Sequence, residues 1–542
     1  MNRFSLENIS GFFILQWGWK RSFLAFLAGG ISALALPPTD MFWLLFFTFP
    51  VLVWLIDGTA GDPGQGILAR ARPAFVTGWW FAFGYFLAGL WWIGAALLVD
   101  VDTYAWVVPL AVLGIPAGLA LFWGLAISLA RLMWSDDWRR IAILSAFLGF
   151  AEFARGTVFT GFPWNLIGYA AMPNALMMQS VSVLGLYGVT PLAILVFASP
   201  AIFAPASEKR PRRVRALLSF CLIIVVWHAG FGYWRLTQNP TRFVDEVRLR
   251  IVQPAILQKD KWVPENEARI FKSYLDLSNA SDGDITHYIW PESAFPFVLT
   301  QRRDALASIA ELLPTDAYLI TGAMRVEAGL NDENKPRVFN SVYVINHKGE
   351  IAGAADKTHL VPFGEYLPFQ QYAESLGLQQ LTGIEGGFDE GAKRTILSTR
   401  TAGRFLPLIC YEIIFPGRIR PSYNDPRMLE TDDKKPQIDW IVNVTNDAWF
   451  GQTTGPYQHQ RQAAIRGVEE GLPVVRAANS GISSVSDAFG RVLGSLGLGE
   501  RGKLDSGLPQ PAQGTYYRKI GNWGFFIITA LMILLPVWRR KH

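Results

Sequence analysis

The chain has 542 residues, of which 51% are hydrophobic and only 17% charged, with 21 Trp and 37 Phe. That length calls for at least two units, and that composition excludes both a disordered chain and an ordinary soluble enzyme, which would carry about 25% charged residues. The net charge of +5 opens a nucleic-acid-binding reading, which stands or falls on where the charge lies.

Seven apolar stretches fill the first part of the chain, at 21–38, 41–56, 73–99, 104–130, 141–154, 175–204 and 214–234. An eighth covers 521–538. Several reach the ~20 helical residues that cross a ~30 Å hydrocarbon core, so a bundle of about eight transmembrane helices is expected. The stretches 41–56 and 141–154 are short and call for a tilted, extended or re-entrant path. The first stretch runs straight into Pro37 and Pro38 and then another apolar segment, with no small-residue cleavage site. It therefore reads as a retained helix and not a signal peptide.

Lys and Arg placement gives the orientation. One side collects Arg3, Lys20, Arg21, Arg70, Arg72, Arg131, Arg139, Arg140, Lys209, Arg210, Arg212, Arg213, Arg215, Arg539, Arg540 and Lys541. The other has only Arg155, Arg235, Arg518 and Lys519 close to the apolar segments. Both termini are therefore expected in the cytoplasm, with the long stretch between the seventh and eighth helices outside. Residues 240–515 hold 29 Lys/Arg against 34 Asp/Glu, so the basic excess belongs to the membrane part. It is an orientation signal, and the nucleic-acid reading loses its support.

Three divisions follow: 1–239 as a seven-helix region, 240–515 as one folded domain, and 516–542 as a last helix with its tail. The middle division alternates short β-type runs, at 248–256, 285–291, 317–323, 338–345, 405–410, 438–444 and 473–477, with helical patterns at 265–279, 301–313 and 456–470. Such alternation at this length points to an α/β domain.

Three polar residues each follow an apolar run: Glu292 after Tyr288-Ile289-Trp290-Pro291, Lys357 after Ile351–Asp356, and Cys410 after Phe405–Ile409. Strand ends of α/β sheets form ligand clefts. A thiol, a carboxylate and an ammonium gathered there suit acyl transfer, as nucleophile, proton acceptor and oxyanion partner. Taken singly, each has a plainer reading, the Glu and Lys as solvated charges and the Cys as a packing residue. Cys221, inside the apolar run 214–234, is read that way. A carboxylate near a thiol raises its pKa, so Glu292 is expected to be protonated or tightly paired with Lys357. Two cysteines exclude a disulfide framework and a Cys-rich zinc site. No HExxH, CxxC, Walker or GxGxxG pattern occurs, and no metal or cofactor is expected.

The local words narrow this further. Trp290-Pro291-Glu292-Ser293, Asp356-Lys357-Thr358-His359 and Ile409-Cys410-Tyr411-Glu412 follow one another in this order, with Asn443–Gly451 and Arg476–Ser483 after them. The stretch 245–500 thereby resembles the carbon-nitrogen hydrolase (nitrilase) superfamily, which implies an αββα sandwich and a Glu-Lys-Cys triad of Glu292, Lys357 and Cys410. With His359–Pro368, Gly161-Phe162-Pro163-Trp164 and the membrane segments included, the whole chain is similar to the apolipoprotein N-acyltransferase family. That resemblance implies transfer of an acyl chain from a phospholipid to the α-amine of a diacylglyceryl-apolipoprotein, through a thioester on Cys410. It also implies a bacterial inner membrane location with the catalytic domain on the periplasmic side, and no nucleic-acid partner. A monomer is expected. Oxyanion donors would be Lys357 and the backbone N–H of Tyr411. Glu365 would orient Lys357 or lie near substrate, Glu412 would act on the Cys410 environment or hold structure, and Trp262 would lie near the active site or at the edge of a core. Trp449 and Phe450 would line an acyl channel or pack in a core.

The run 366–384, with Tyr366, Leu367, Phe369, Tyr372, Leu376, Leu378 and Leu381 among polar residues, reads as an amphipathic lid or as ordinary packing. Glu152 and Arg155, three apart in an apolar stretch, read first as a structural pair and second as a head-group contact. Trp164 and Asn165 follow them in the next loop. His228 reads as a satisfied interfacial side chain. The alternatives are a membrane-tethered amidase that uses the same triad with water as acceptor, and a receptor or transporter whose outer domain only binds.

Overall fold

A computed structural model describes residues 6–59, 64, 66–203, 211–279, 284–328, 336–375, 380–382, 384, 386–420 and 437–538. Arg3, Lys209, Arg210, Arg539, Arg540 and Lys541, counted above for orientation, lie outside them, as do Leu376 and Leu378. The chain divides into two compact units. One comprises Met1–Gly94, Trp106–Pro240 and Thr515–His542, and the other Ala95–Ala105 with Thr241–Gly514.

In the first unit every predicted apolar stretch carries a helix: Gly18–Ser32, Leu45–Asp57, Ile67–Leu90, Ile115–Leu132, Arg139–Thr157, Val181–Ala198, Pro211–Gln238 and Trp523–Trp538. A short helix, Leu6–Ile14, precedes them and was not foreseen. Among the described residues four segments, Ile67–Leu90, Val101–Leu132, Val181–Phe203 and Arg212–Gln238, are long and apolar enough to cross a membrane. Phe42–Asp57 and Trp523–Leu534 are apolar but shorter. Local features interrupt the predicted stretches at two points. The first predicted helix gives way to a 3-10 turn at Ala33–Ala35, just before Pro37. The stretch 175–204 is interrupted at Gly185, whose φ of 67° is not helical. A Cβ there would come within 2.3 Å of Tyr517 Cε2, so close packing also demands glycine.

One buried ion pair inside this unit is fully hydrogen-bonded. Arg155 meets Glu152 at 2.9 Å, with both side chains fully buried. Glu152 Oε1 also accepts from Trp123 Nε1 (2.6 Å) and its Oε2 from the Ile167 N–H (3.2 Å). Arg155 donates onward to the Phe162 and Trp164 carbonyls at 2.7 and 2.8 Å. The structural reading of this pair is the one these contacts support. Trp164 is buried against Trp92, Asn165 donates to the Gly89 carbonyl (3.0 Å), and His228 Nε2 lies 3.0 Å from the Ala171 carbonyl. Cys221 is buried, as expected of a packing residue.

Among the described residues the second unit has twelve strands: β1 Phe243–Gln253, β2 His287–Trp290, β3 Tyr318–Glu327, β4 Arg337–Asn346, β5 Ile351–Asp356, β6 Leu397–Thr399, β7 Gly403–Ile409, β8 Trp440–Thr445, β9 Val474–Ala478, β10 Ser483–Ser486, β11 Val492–Leu496 and β12 Gly502–Pro509. They form two six-stranded sheets, ordered β12-β1-β2-β3-β4-β5 and β11-β10-β9-β8-β7-β6. In each, three consecutive strands run parallel, β1-β2-β3 and β7-β8-β9, and antiparallel strands extend the edges. The parallel strands β2, β8 and β9 are buried along their whole length. This explains why they read as mostly apolar runs without strict alternation.

The two sheets face each other. His287 Nε2 of β2 lies 2.8 Å from Thr399 Oγ1 of β6, and Gln253 Oε1 of β1 accepts from the Ser483 N–H of β10 (3.0 Å). Helices Glu267–Asn279 and Arg303–Leu312 cover the first sheet, with Ile270, Tyr274, Trp290 and Ile309 in one buried cluster. Helix Gly455–Glu470 packs on β9 and β10 of the second. The result is an αββα sandwich.

Candidate active site

Glu292 lies two residues past β2, in a turn whose next residue, Ser293, has a φ of 49°. Such a conformation is strained for a residue with a side chain, and the neighbours hold it. Gly322 of β3 donates to the Pro291 carbonyl (3.2 Å) and accepts from the Ala294 N–H (2.8 Å). A Cβ on Gly322 would fall 2.5 Å from the Glu292 Cα, so only glycine lets the turn approach this strand. The carboxylate is buried. Its Oε1 accepts from Asn340 Nδ2 of β4 (2.7 Å) and its Oε2 from the Asn446 N–H just past β8 (2.8 Å).

Lys357 directly follows β5 and is 1% exposed. Its closest partner is Glu365, with Nζ 2.9 Å from Oε1 and 2.8 Å from Oε2. Glu292 Oε1 stands farther off, at 3.8 Å. The tight pairing expected between Lys357 and Glu292 therefore belongs to Glu365, because the loop 361–365 turns that carboxylate back over the ammonium. Glu365 Oε2 also accepts from the Val361 N–H (2.9 Å), which fixes the turn. Asn340 Nδ2 bridges the two carboxylates, donating to Glu365 Oε1 at 2.9 Å as well.

Cys410 follows β7 and opens a short 3-10 helix, Cys410–Ile414. Its φ is 53°, a sharp strand-to-helix turn that presents the side chain at the strand end. Asn443 of β8 supports this turn, its Nδ2 donating to both the Leu408 and Cys410 carbonyls at 3.1 Å. Beneath it, Arg476 reaches Asn443 Oδ1 and Asp447 Oδ2, the latter at 2.5 Å. Asp447 Oδ1 also accepts from Thr445 Oγ1 (2.8 Å) and faces His459 Nδ1 (3.0 Å). Arg466 closes the far end of the short helix by donating to the Ile413 and Ile414 carbonyls at 3.2 Å.

The electrostatics link the three groups. Burial pushes the Cys410 thiol up, with Glu292 and Asp447 adding to the rise and Lys357 and the Thr445 hydroxyl opposing it. The resting sulfur is thus a protonated thiol. Burial also raises the Glu292 carboxyl, joined by Glu365 and countered by Lys357, Asn340 and Lys261. For Lys357, burial works downward, yet Glu365, Glu292 and Cys410 hold its ammonium above the ordinary lysine value. A neutral thiol, a proton-hungry carboxylate and a fixed cation are what proton transfer followed by nucleophilic attack requires.

Two family models match the chain: the apolipoprotein N-acyltransferase N-terminal domain over residues 28–199, and the carbon-nitrogen hydrolase domain over 248–510. The apolipoprotein N-acyltransferase of Rhodopseudomonas palustris is 45% identical over 99% of this chain and 98% of its own. That of Rhizobium rhizogenes is 46% identical over the same shares. The chain belongs to the apolipoprotein N-acyltransferase family. An amidase from Nesterenkonia sp. superposes on 52% of this chain and 95% of its own at 17% identity, with a TM-score of 0.34, too low to add to what the two sheets show. Membership in this acyltransferase family, within the carbon-nitrogen hydrolase superfamily, makes the chain an enzyme of lipoprotein N-acylation and accounts for its apolar helices.

With the family established, the remaining sequence-predicted residues take their places. Glu412 Oε2 accepts from the Ile409 N–H (2.8 Å). Its Oε1 accepts from the Thr358 and His359 N–H groups, the Thr358 hydroxyl and Arg394, at 3.0–3.2 Å. Burial alone would raise this carboxyl, but Arg394 and the N–H donors hold it below the ordinary range. Glu412 therefore ties the Lys357 loop to the Cys410 turn as a permanent anion. Tyr411 is buried, and its hydroxyl donates to the Leu360 carbonyl (2.6 Å). Trp262 is 41% exposed, and Trp449 and Phe450 are half-buried in a short 3-10 helix. Within 366–384, Phe369 is 84% exposed while Leu367 is buried and Gln370–Ser375 is helical. Tyr104, from the segment 95–105, donates its hydroxyl to the Gln380 carbonyl (3.3 Å).

Sequence reasoning missed Asn340, Lys261 and Gln258. Asn340 carried one usable signal, as a polar residue inside the apolar run 338–345. Asn443, Asp447 and Arg476 lay in quoted words but had no role before the structure placed them.

Proposed function

We propose that the chain transfers an acyl group from a phospholipid to the α-amine of a diacylglyceryl-apolipoprotein through a thioester on Cys410. The observation that carries this reading is a strained, buried Cys410 next to a carboxylate that a competing partner leaves only loosely paired. Cys410 passes its proton to Glu292 as sulfur bonds to the ester carbonyl carbon. Lys357 and the Tyr411 N–H receive the oxyanion. The C–O bond breaks, the lysophospholipid oxygen takes the proton back from Glu292, and the thioester remains. The incoming amine then bonds to the thioester carbon and gives Glu292 a proton. The C–S bond breaks, and the sulfur recovers that proton. Glu365 fixes the Lys357 ammonium throughout.

Both substrates are lipids, so the site must work at a bilayer surface. We place it on the periplasmic face of a bacterial inner membrane with both termini cytoplasmic, as the Lys and Arg asymmetry supports. Solubilised full-length protein given a diacyl phospholipid and a synthetic diacylglyceryl lipopeptide with a free amine should yield N-acyl lipopeptide and lysophospholipid in equal amounts. Free fatty acid with no acylated lipopeptide would replace this reading with a hydrolase.

A further inference from the structure

The mechanism leaves one buried cation unused. Lys261 is 1% exposed and follows the 3-10 turn Gln258–Asp260. Its Nζ donates to the Glu292 main-chain carbonyl at 3.1 Å, its one hydrogen bond among the described residues. Three donors with one acceptor is an unusual allotment for a buried ammonium, which loses its hydration without full replacement. The same turn grips Glu292 from a second direction. Gln258 Oε1 accepts from Asn446 Nδ2 (2.7 Å), and the Asn446 N–H is the donor to Glu292 Oε2. With the Pro291 carbonyl and the Ala294 N–H both satisfied by Gly322, Lys261 completes the hold on the strained Glu292 turn.

The charge balance explains why a lysine stands there. The groups facing Glu292 are Lys357 past β5, Glu365 on the loop beyond it, Cys410 past β7, and Lys261. Lys357 is committed to Glu365 at 2.8 Å. Without Lys261, two carboxylates sharing one amide would have one ammonium between them. We infer that Lys261 is a positioning residue for Glu292: its buried ammonium fixes the turn and supplies the second positive charge that keeps the carboxylate ready to accept the Cys410 proton. This rests on the proposed role of Glu292 as proton acceptor. Burial brings the Lys261 amine down to about 8 while Glu292 pulls it upward, so the ammonium keeps its proton at neutral pH.

The test is the pH dependence of acyl-enzyme formation by the full-length protein. Mixed micelles containing phosphatidylethanolamine and phosphatidylglycerol serve as donor, and intact mass is the readout. In Lys261→Met the acid limb should move up by about one pH unit, because an opposite charge near a carboxyl lowers its pKa by about that much or more. Lys261→Arg should keep the limb near its wild-type position. Lys261→Gln retains an N–H donor for the Glu292 carbonyl without the charge, and should shift the limb as Met does. A uniform loss of rate with the limb unmoved in both neutral variants would overturn the inference and leave Lys261 a packing residue. A wild-type profile in Lys261→Gln would overturn its electrostatic half. Glu292→Gln separates the two claims: if the acid limb and rate survive in it, the proton-acceptor reading fails, whatever Lys261 does.

Discussion

Each unit buries an acid and a base together, and the two arrangements differ in completeness. In the membrane unit Glu152 and Arg155 meet at 2.9 Å with side chains fully buried, and Trp123, Ile167 and two carbonyls take up further hydrogen bonds. In the α/β unit Lys357 stands 3.8 Å from Glu292 and 2.8 Å from Glu365. The first pair is saturated with hydrogen bonds on both sides. The second leaves Glu292 held by an amide and a backbone N–H, with its nearest cation engaged elsewhere. A buried pair that is broken by removing one partner is costly, so saturation suits structure. Incomplete pairing suits a group that must take up and release a proton.

This contrast can be broken at several points. The largest effect is expected from Glu292→Gln, which should slow acyl-enzyme formation by about 10²–10⁴-fold, the usual worth of a general base. The same variant should be at least as stable as wild type at neutral pH. Burial raises the Glu292 carboxyl, so its contribution to stability is present when protonated and lost as pH rises through the raised folded value. Thermal melting of the two proteins in detergent at pH 7 checks this. Arg155→Met should behave in the opposite way. It strands the Glu152 charge and should lose about 3–5 kcal/mol of stability, while activity per folded molecule stays within about twofold. A third expectation concerns pH in the wild type. Activity should rise with pH along a limb above the ordinary carboxylate range, because Glu292 must first lose its proton; a rate profile from pH 4 to 8 reads it. The smallest effect is expected at Phe369, which is 84% exposed. Phe369→Ser should leave stability within about 0.5 kcal/mol and raise the KM for phospholipid about two- to fivefold if the surrounding segment meets lipid.

The saturated and the unsaturated arrangements were not equally legible in the sequence. Glu152 and Arg155 announced themselves by an i, i+3 spacing within one helix, and local geometry was enough. Glu292, Lys357 and Cys410 were visible as polar residues ending apolar runs, but their meeting depended on two sheets packing face to face. The parallel cores of those sheets were readable because β2, β8 and β9 are short, mostly apolar runs. The edges were not: β6 has three residues and β10 is the polar run Ser483–Ser486, and their place comes from partners far away in sequence. Lys261, beside Trp262, was given no role by the sequence. Only burial behind Glu292 gives it a role, and burial across 31 residues of separation leaves no mark in the local pattern. The expectation of eight spans met the same limit, since helix length alone does not show where Gly185 or Pro37 interrupts the path.

The most direct test of the central claim is the intact mass of the full-length protein after incubation with phospholipid and no acceptor. Wild type should gain one acyl group on Cys410, the group should leave when a diacylglyceryl lipopeptide with a free amine is added, and Cys410→Ala should show neither the adduct nor N-acyl product. An unmodified wild-type protein, together with a Cys410→Ala variant that still acylates the lipopeptide, would contradict the thioester mechanism outright.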